Sequence, residues 1–387
     1  MKERRSWRWL GLALALLAAL VVVAGCGTTD SSDDKSSTSA DSSSSDSAGN
    51  GKKVKMAFVY NGPPNALGWD TAIDVGRKAA EAKFGDQLET TYKVAFQGPQ
   101  IERALNSFVQ DGNDVIWGTS FGQQEFSLPL AKKETGIKFH QVSTAAIDPN
   151  VSGFSFGLED GYYIMGMAGA ALAKNGQLGM VGSFPVPDVM TAVNAMQLGA
   201  QQVNPDAHVR VVWTNDWVSP SKAQDAAQAL INSGAQVLGY MTTGPAPSEI
   251  ADKAGVPWIG FEASHKKFAP DTFLNGVLLN WAPMIEKSVE DVQNGTWKPE
   301  TYYGTYQNDA IQFEGWGPPY DKVPDDVKSK IDDAMAGLKD GSLKVFTGPI
   351  YDQSGKLRVK DGEEEAVGDI LGTDYLVKGV IGKAATQ

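Results

Sequence analysis

The sequence predicts an α/β protein built from two similar lobes with a ligand cleft between them. The globular part, from about Val54 to Gln387, is long enough for two hydrophobic cores rather than one. Short apolar runs alternate with helical stretches, as in parallel sheets made of βαβ units. The second half repeats the first in its order of strand, proline-containing loop and helix. Because ligands of such sheets bind beyond the carboxyl ends of the strands, the cleft is the expected binding site.

The apolar runs define predicted strands in each half of the globular part. In the first half they are Val54–Tyr60, Tyr92–Phe96, Asp114–Trp117 and Ile137–Val142. In the second half they are Gln177–Val181, His208–Trp213, Gln236–Met241 and Val256–Phe261. The chain beyond about residue 298 is less regular, with short strands at Tyr302–Tyr306 and Ile311–Phe313, a helix over Val327–Leu338 and a hairpin between Val345 and Leu357.

The first 25 residues have the layout of a secretory signal peptide. Four basic side chains among the first eight residues precede an apolar stretch from Trp9 to Ala24. That stretch is shorter than the roughly 20 residues that a membrane-spanning helix needs. It ends in Val23-Ala24-Gly25-Cys26, which resembles a bacterial lipobox and implies cleavage before Cys26 and lipid on its sulfur. We therefore expect a lipid anchor at Cys26, on the extracytoplasmic face of the cell membrane.

Residues 26–53 are mostly Ser, Asp, Thr and Gly, a composition typical of a disordered tether. Cys26 is the one cysteine of the chain, which excludes an internal disulfide. The net charge of −12 makes binding to nucleic-acid phosphates improbable on electrostatic grounds.

The loops after the predicted strands hold aromatic, amide and carboxylate side chains and few cations. Such a set suits a flat, uncharged ligand, because aromatic faces stack on it and polar groups read its edge. Trp213 and Trp258 lie inside strands and are expected to be core residues instead. The candidate site residues are Asn61, Trp69, Asp70, Ser120, Phe121, Phe184, Trp217, Thr243, Glu262, Asn280 and Trp281, with Asn215 and Thr242 in the same loops.

One segment also matches an enzyme motif. Gly118–Gly122 fits G-x-S-x-G and follows a strand, so Ser120 is a candidate nucleophile with histidines later in the chain. No glycine cluster suited to an oxyanion hole precedes it. The alternative is a tight turn in which Ser120 or Phe121 contacts a ligand.

Metal and cofactor sites are not expected. The three histidines, His140, His208 and His265, are scattered and match no ligand spacing. The glycines of Gly176–Gly182 bound a strand, whereas the dinucleotide fingerprint places them in a strand-to-helix turn.

Several segments, taken in order, resemble the basic membrane protein family, the purine and nucleoside receptors of ABC importers. The resemblance covers nearly everything from Val54 onward. The segments are Phe58–Pro63 with Gly68-Trp69, Gly118–Gly122, Gly182–Pro187, Leu198–Gln201 with Asn204–Asp206, Val212–Trp217, Gly260–Glu262 and Asn294–Trp297.

The resemblance implies a periplasmic-binding-protein type I fold, with two Rossmann-like lobes joined by three crossovers. Residues 54–158 and about 280–298 would form lobe 1, and residues 159–279 and about 299–387 would form lobe 2. It further implies that Trp69 stacks on the ligand and that Phe184 or Trp217 closes the other side. Glu262 would lie where relatives hold ribose hydroxyls. The lysine that contacts ribose in relatives is missing from Gly276–Trp281, which favours a free base such as adenine, hypoxanthine or guanine.

The function that the resemblance implies is capture of a purine base or nucleoside and its delivery to an ABC permease, with no catalysis. Another flat nutrient such as a flavin is an alternative within the binding class. A lipid-anchored hydrolase using Ser120 and a ligand-sensing lipoprotein are alternatives from other classes.

Overall fold

The computed structural model describes residues 52–64, 68–142 and 148–384. The predictions of a signal peptide and of lipidation at Cys26 lie outside the described residues, as does nearly all of the tether. Within the described ranges, no helix combines the length and the apolar character needed to cross a bilayer.

Strands and helices alternate along the described chain. The first are β1 (Val54–Tyr60), α1 (Trp69–Phe84), β2 (Leu88–Val94), α2 (Gly98–Gln110), β3 (Val115–Gly118), α3 (Gln124–Lys133), β4 (Lys138–Val142), β5 (Val151–Phe156) and α4 (Leu158–Leu172). Next come β6 (Gln177–Gly182), α5 (Pro187–Val203), β7 (His208–Trp213), α6 (Pro220–Asn232), β8 (Val237–Met241), α7 (Ala246–Lys253), β9 (Trp258–Glu262), β10 (Phe273–Leu279) and α8 (Ala282–Asn294). The last are β11 (Thr301–Gly304), β12 (Ile311–Phe313), α9 (Asp325–Asp340), β13 (Ile350–Tyr351), β14 (Leu357–Val359) and α10 (Val367–Ile370).

The strands form two six-stranded sheets and one small hairpin. The first sheet has the order β11-β5-β4-β3-β1-β2 and is parallel throughout. The second has the order β12-β10-β9-β8-β6-β7 and is parallel except for β12, which runs antiparallel to β10. The two-lobed α/β architecture predicted from the sequence is therefore confirmed.

Both faces of the first sheet are covered, as parallel strands require. Alternate residues of β1 show this directly. Met56, Phe58 and Tyr60 join the large hydrophobic cluster that continues into lobe 2. Ala57 and Val59 join a second cluster on the opposite face, with side chains of α2. An almost uninterrupted apolar run is the sequence signature of such a strand.

The sequence analysis missed β5 and α4. Strand β5 reads VSGFSF, whose serines and glycine hide its strand character, although every residue of it is buried. Helix α4 is buried on all sides from Leu158 to Ala170, so it lacks the one-sided periodicity that marks a surface helix. It packs closely on α5, where a Cβ on Gly166 would overlap the Met196 carbonyl oxygen.

The connections between the lobes correct one predicted boundary. Strand β11 pairs in parallel with β5, so lobe 1 extends to Gly304 rather than ending near residue 298. The prediction was wrong there because a four-residue strand gives no clue to the sheet that it joins. The C-terminal segment packs on lobe 2, where Ile381 exchanges backbone hydrogen bonds of 2.9 and 2.8 Å with Val211 and Val209 of edge strand β7.

Candidate ligand-binding site

The carboxyl ends of the two sheets face each other and touch at Gly68. This residue precedes α1 of lobe 1 and has φ +145°. A Cβ placed on it would lie 2.6 Å from Thr243 Cγ2 and 3.0 Å from Glu262 Oε2, both of lobe 2. Only glycine fits this close approach, and the loops that follow β1, β8 and β9 therefore meet across the cleft.

Asp70 holds the loop after β1 in place. It lies in the first turn of α1, and its carboxylate accepts the backbone N–H groups of Asn61 at 3.0 Å and Gly62 at 2.9 Å. Burial raises the pKa of Asp70 to about 6, although these two hydrogen bonds lower it. Asp70 therefore fixes the conformation of the loop after β1, and the backbone of Asn61 is one of the two groups that it holds.

Trp69 is half-buried and its ring orientation is fixed. Its indole Nε1–H donates to the Thr119 carbonyl oxygen at 2.7 Å. The ring meets Trp281 edge-on, with centroids 5.2 Å apart and an interplanar angle of 88°, and meets Phe156 in the same manner at 6.3 Å. The residue is thus positioned by packing as well as by its place at the start of α1.

Two glutamines that the sequence analysis did not name organise the rim of lobe 1. Gln123 is fully buried, and its Oε1 accepts the Thr119 backbone N–H at 2.7 Å. Its Nε2 donates to the carbonyl oxygen of Val59 and to Asn61 Oδ1, both at 3.2 Å. The Nε2 of Gln141 donates to the Ser120 carbonyl oxygen at 2.9 Å. These polar groups satisfy one another without a ligand.

Ser120 has a local structural role. It caps the short 3₁₀ turn over Phe121–Gln123 in a reciprocal arrangement with the Gln123 side chain. His140, the first histidine after it, stacks instead on Trp117 and bonds Ser288 through Nε2. Phe121 is 62% exposed at the edge of the rim.

On lobe 2, an aromatic pair follows β6 and β7. The rings of Phe184 and Trp217 lie 5.6 Å apart at 47°, and Trp217 is 41% exposed. The loops interlock through two backbone hydrogen bonds of 2.8 Å, from Thr243 N–H to the Trp217 carbonyl and from Asn215 N–H to the Ser183 carbonyl. The aromatic pair is therefore partly exposed to solvent, and backbone hydrogen bonds between neighbouring loops hold the segments that carry it.

Glu262 is the last residue of β9 and is buried, with φ +69°. The backbone N–H of Trp69, at the N-terminus of α1 in the other lobe, bonds its carboxyl group. Burial raises the pKa of Glu262 well above its ordinary value, the nearby charge of Asp70 raises it further, and the Trp69 N–H lowers it. A carboxyl group of lobe 2 thus reaches the helix terminus of lobe 1.

Three neighbouring strands of lobe 2 end in buried polar atoms that have no hydrogen-bond partner among the described residues. They are Ser183 Oγ after β6, Thr242 Oγ1 after β8 and Glu262 Oε2 at the end of β9. Because unpaired buried polar atoms are costly, three of them at adjacent strand ends indicate a surface completed by a ligand. Ser183 was absent from the predicted site, since its pairing state is visible only in three dimensions.

Asn280 and Trp281 directly follow β10, in the second connection between the lobes, which runs from β10 of lobe 2 to α8 of lobe 1. Trp281 is fully buried in lobe 1 and packs on Phe154 at 5.2 Å, Phe156 at 5.1 Å and Trp69. Asn280 Oδ1 accepts the Ala282 N–H at the start of α8, and its Nδ2 donates to the Asp309 carbonyl oxygen at 3.0 Å. Trp281 supports Trp69 from behind, and Asn280 stabilises the connection.

The connections between the lobes are tied by buried carboxyl groups. The Tyr303 hydroxyl donates to both Glu159 oxygens, at 2.8 and 2.9 Å, and the Tyr306 backbone N–H bonds Asp160 at 2.9 Å. Burial and the neighbouring Asp160 raise the pKa of Glu159 to about 8. Across the described ranges, no group of three His, Cys, Asp or Glu side chains could hold a metal ion.

Two parallel sheets that face each other by their carboxyl ends define the periplasmic-binding-protein type I class. A solved solute-binding protein of an ABC transporter system from Conexibacter woesei has the same fold. The two chains superpose with a TM-score of 0.63 and are 23% identical in sequence. The match covers 75% of this chain and 98% of the Conexibacter woesei chain.

The family model for Bmp, described as an ABC transporter substrate-binding protein that is PnrA-like, matches residues 53–342. The chain belongs to this family, which confirms the resemblance seen in the sequence. It is an ABC transporter substrate-binding protein and not an enzyme, so the hydrolase alternative for Ser120 is not upheld.

Two relatives are named for different solutes. A purine-binding protein of Brucella abortus is 35% identical over 330 residues, covering 85% of this chain and 93% of the relative. A Haloferax volcanii protein, named as a putative glucose-binding protein of an ABC transporter, is 30% identical over 302 residues. The match covers 78% of this chain and 76% of the relative.

Proposed function

We propose that this protein captures a purine base in the cleft and delivers it to an ABC permease, while anchored to the membrane by lipid on Cys26. The observation that carries the proposal is that Ser183 Oγ, Thr242 Oγ1 and Glu262 Oε2 of lobe 2 are buried without a partner among the described residues, at the strand ends that meet Gly68 and α1 of lobe 1. An aromatic face with hydrogen-bonding groups at its edge suits a flat heterocycle. The Brucella abortus relative, named for purine binding, supports the same class.

In the proposed complex, the base lies between Trp69 of lobe 1 and the Phe184–Trp217 pair of lobe 2. Ser183, Thr242 and Glu262 contact its polar edge. The remaining candidates form the frame: Asn61, Asp70, Ser120 and Phe121 on the rim of lobe 1, Thr243 on lobe 2, and Asn280 and Trp281 in the second connection.

Two features favour a free base over a nucleoside. Residues Gly276–Trp281 contain no lysine to contact a ribose. The carboxyl group of Glu262, at the position that the resemblance assigns to ribose hydroxyls, lies instead close to Gly68 and the Trp69 N–H of the other lobe.

Thermal-shift and calorimetric titrations of the purified protein with adenine, hypoxanthine, guanine, adenosine and glucose test the proposal. A ligand that binds only the folded state raises the melting temperature by mass action. We expect a free base to give the largest shift and adenosine a smaller one. A shift with glucose and none with any purine would refute the purine assignment.

The anchor and the permease need separate tests in cells. Cys26→Ala should abolish incorporation of labelled fatty acid and release the protein from the membrane fraction. Deletion of the gene should abolish uptake of the labelled base at low concentration. Unchanged uptake would refute delivery to a permease, and membrane retention of the Cys26→Ala protein would refute the lipid anchor.

A further inference from the structure

Glu262 stands in an unusual electrostatic setting. Its side chain is 4% exposed, and no cation contacts it among the described residues. The charged group that acts on it is Asp70 of α1, another acid. The hydroxyl groups of Tyr162 on α4 and Tyr240 on β8 are also close enough to feel its charge. Beyond them, His265 Nδ1 lies 2.7 Å from the Tyr240 hydroxyl.

An ionised carboxylate in this place would be buried without a cation and beside a second carboxylate. Both conditions favour the neutral acid. A neutral carboxylic acid differs from a carboxylate in that one oxygen becomes a hydrogen-bond donor. The backbone N–H of Trp69 accounts for one contact of the group, and Oε2 has no partner in the described part of the chain.

The carboxyl oxygen without a partner in the described chain lies where the two lobes meet. Glu262 Oε2 lies 3.0 Å from the position that a Cβ on Gly68 would occupy. Residues of both lobes bury it, because Gly68 and Trp69 belong to lobe 1 and Glu262 to lobe 2. Separation of the lobes would expose the carboxyl group to water and favour its ordinary ionised form.

We propose that Glu262 binds the ligand as a neutral carboxylic acid, donating to an acceptor atom of an uncharged ligand, and that lobe closure therefore takes up one proton. The proposal rests on the proposed function only in taking the cleft as the solute site. It assigns the ligand to the uncharged class, since an anionic solute would face both Glu262 and Asp70.

The sign of the pH dependence follows. The closed form holds the proton to a higher pH than the open form, so affinity is greatest at low pH. Affinity falls as the pH rises above the ordinary Glu value of about 4.3, approaching tenfold per pH unit. Asp70, with a pKa raised to about 6, adds little above pH 7 because it is then ionised in both forms.

Calorimetric titration of the full protein with adenine from pH 6 to 8, in buffers of different ionisation enthalpy, measures affinity and proton uptake together. Wild type should bind with uptake of about one proton at pH 7.5 and lose affinity as the pH rises. Glu262→Gln keeps a donor and an acceptor without titrating. It should bind more tightly than wild type at pH 6, by about ten- to fiftyfold, because wild type must first take up a proton, and it should show no proton uptake and a flat pH profile.

Glu249→Gln, on α7 of the same lobe and outside the cleft, is the matched control and should behave as wild type. Proton uptake that persists in Glu262→Gln would overturn the proposal and assign the proton to another group, such as the Glu159–Asp160 pair. Weaker binding by that variant than by wild type at pH 6 would show that the charged carboxylate is required and would also overturn the proposal. If no purine binds, the purine assignment fails and the same comparison is made with glucose; a wild type that binds neither contradicts both proposals.

Discussion

The rims of the two lobes contain similar residue types but differ in how their polar groups are paired. On lobe 1, the amide groups of Gln123 and Gln141 have partners in the strand-end loops. On lobe 2, Ser183 Oγ, Thr242 Oγ1 and Glu262 Oε2 are buried without partners in the described chain. Both rims lie at the carboxyl ends of parallel strands, so the difference reflects their use rather than their place in the fold.

Under the proposed function, one lobe is organised before the ligand arrives and the other would be completed by it. A self-paired rim keeps Trp69 in one orientation and is rigid. A rim with unpaired groups loses stability when empty and regains it when a ligand supplies the missing partners, which also rejects ligands that lack them. Substitutions on the two rims should therefore act on different quantities.

Among the rim substitutions, the largest effect on stability is expected for Gln123→Ala on lobe 1. The change leaves the Thr119 backbone N–H without its acceptor and removes one of the two side-chain donors to the Val59 carbonyl in a fully buried site, at about 2–4 kcal/mol of unfolding free energy. Chemical denaturation measures the change in unfolding free energy, and Gln124→Ala, at a neighbouring half-buried glutamine, is the control. Affinity of the folded variant should stay within about fivefold. An unchanged unfolding free energy would contradict a self-paired rim.

Trp69→Ala should act mainly on binding. Loss of a stacking platform is worth about 1–3 kcal/mol, so affinity should fall roughly ten- to a hundredfold. The indole bond to Thr119 and the contact with Trp281 add a stability cost of about 1–2 kcal/mol, which the sequence alone did not predict.

Trp258→Ala is the control for that substitution. Its ring is buried in β9, so we expect a stability loss of about 3–5 kcal/mol and no specific loss of affinity. Calorimetry and denaturation on both variants separate the roles. Trp69→Ala that binds as tightly as wild type would place the ligand elsewhere.

Thr242→Val removes a hydroxyl that has no partner in the described protein and nearly keeps the side-chain shape. The free protein should be as stable as wild type or slightly more stable, while affinity should fall about five- to tenfold. Thr214→Val is the control, because the Thr214 hydroxyl already donates to the Asp216 carbonyl oxygen at 2.7 Å. That variant should lose stability instead. A loss of stability in Thr242→Val without a loss of affinity would contradict the proposed difference between the two rims.

The smallest effect concerns pH and Asp70. Because its pKa is raised to about 6 in the folded protein, its contribution to stability is present at low pH and is lost as the pH rises through 6. Asp70→Asn should flatten the change in melting temperature between pH 5 and 7 by a few degrees. Exposed Asp86→Asn should leave the profile unchanged. If the melting temperature of Asp70→Asn fell between pH 5 and 7 as steeply as that of wild type, another group would be responsible for the pH dependence of stability.

The sequence predicted the fold well because most strands are uniformly apolar and separated by recognisable helices. It missed β5 and α4, where serine and glycine interrupt the strand and complete burial removes the helical period. It also placed the end of lobe 1 too early, because only pairing with β5 identifies the sheet to which β11 belongs.

The candidate site could be predicted from the sequence only in part. Trp69, Thr242 and Glu262, which the proposed complex uses, were named as candidates from residue type and position in the loops that follow strands. Ser183 and Gln123 were not, since the same polar side chain can be a structural bond or a ligand contact. That distinction depends on which neighbours lie within hydrogen-bond distance, and such neighbours come from other strands.

The most direct test of the account is a crystal structure of the protein with adenine. We expect the base against Trp69, with polar atoms within about 3.2 Å of at least two of Ser183 Oγ, Thr242 Oγ1 and Glu262 Oε2, and with Gln123 keeping its internal partners. A base held instead through Gln123, with the three lobe 2 atoms still unpartnered, would contradict the account.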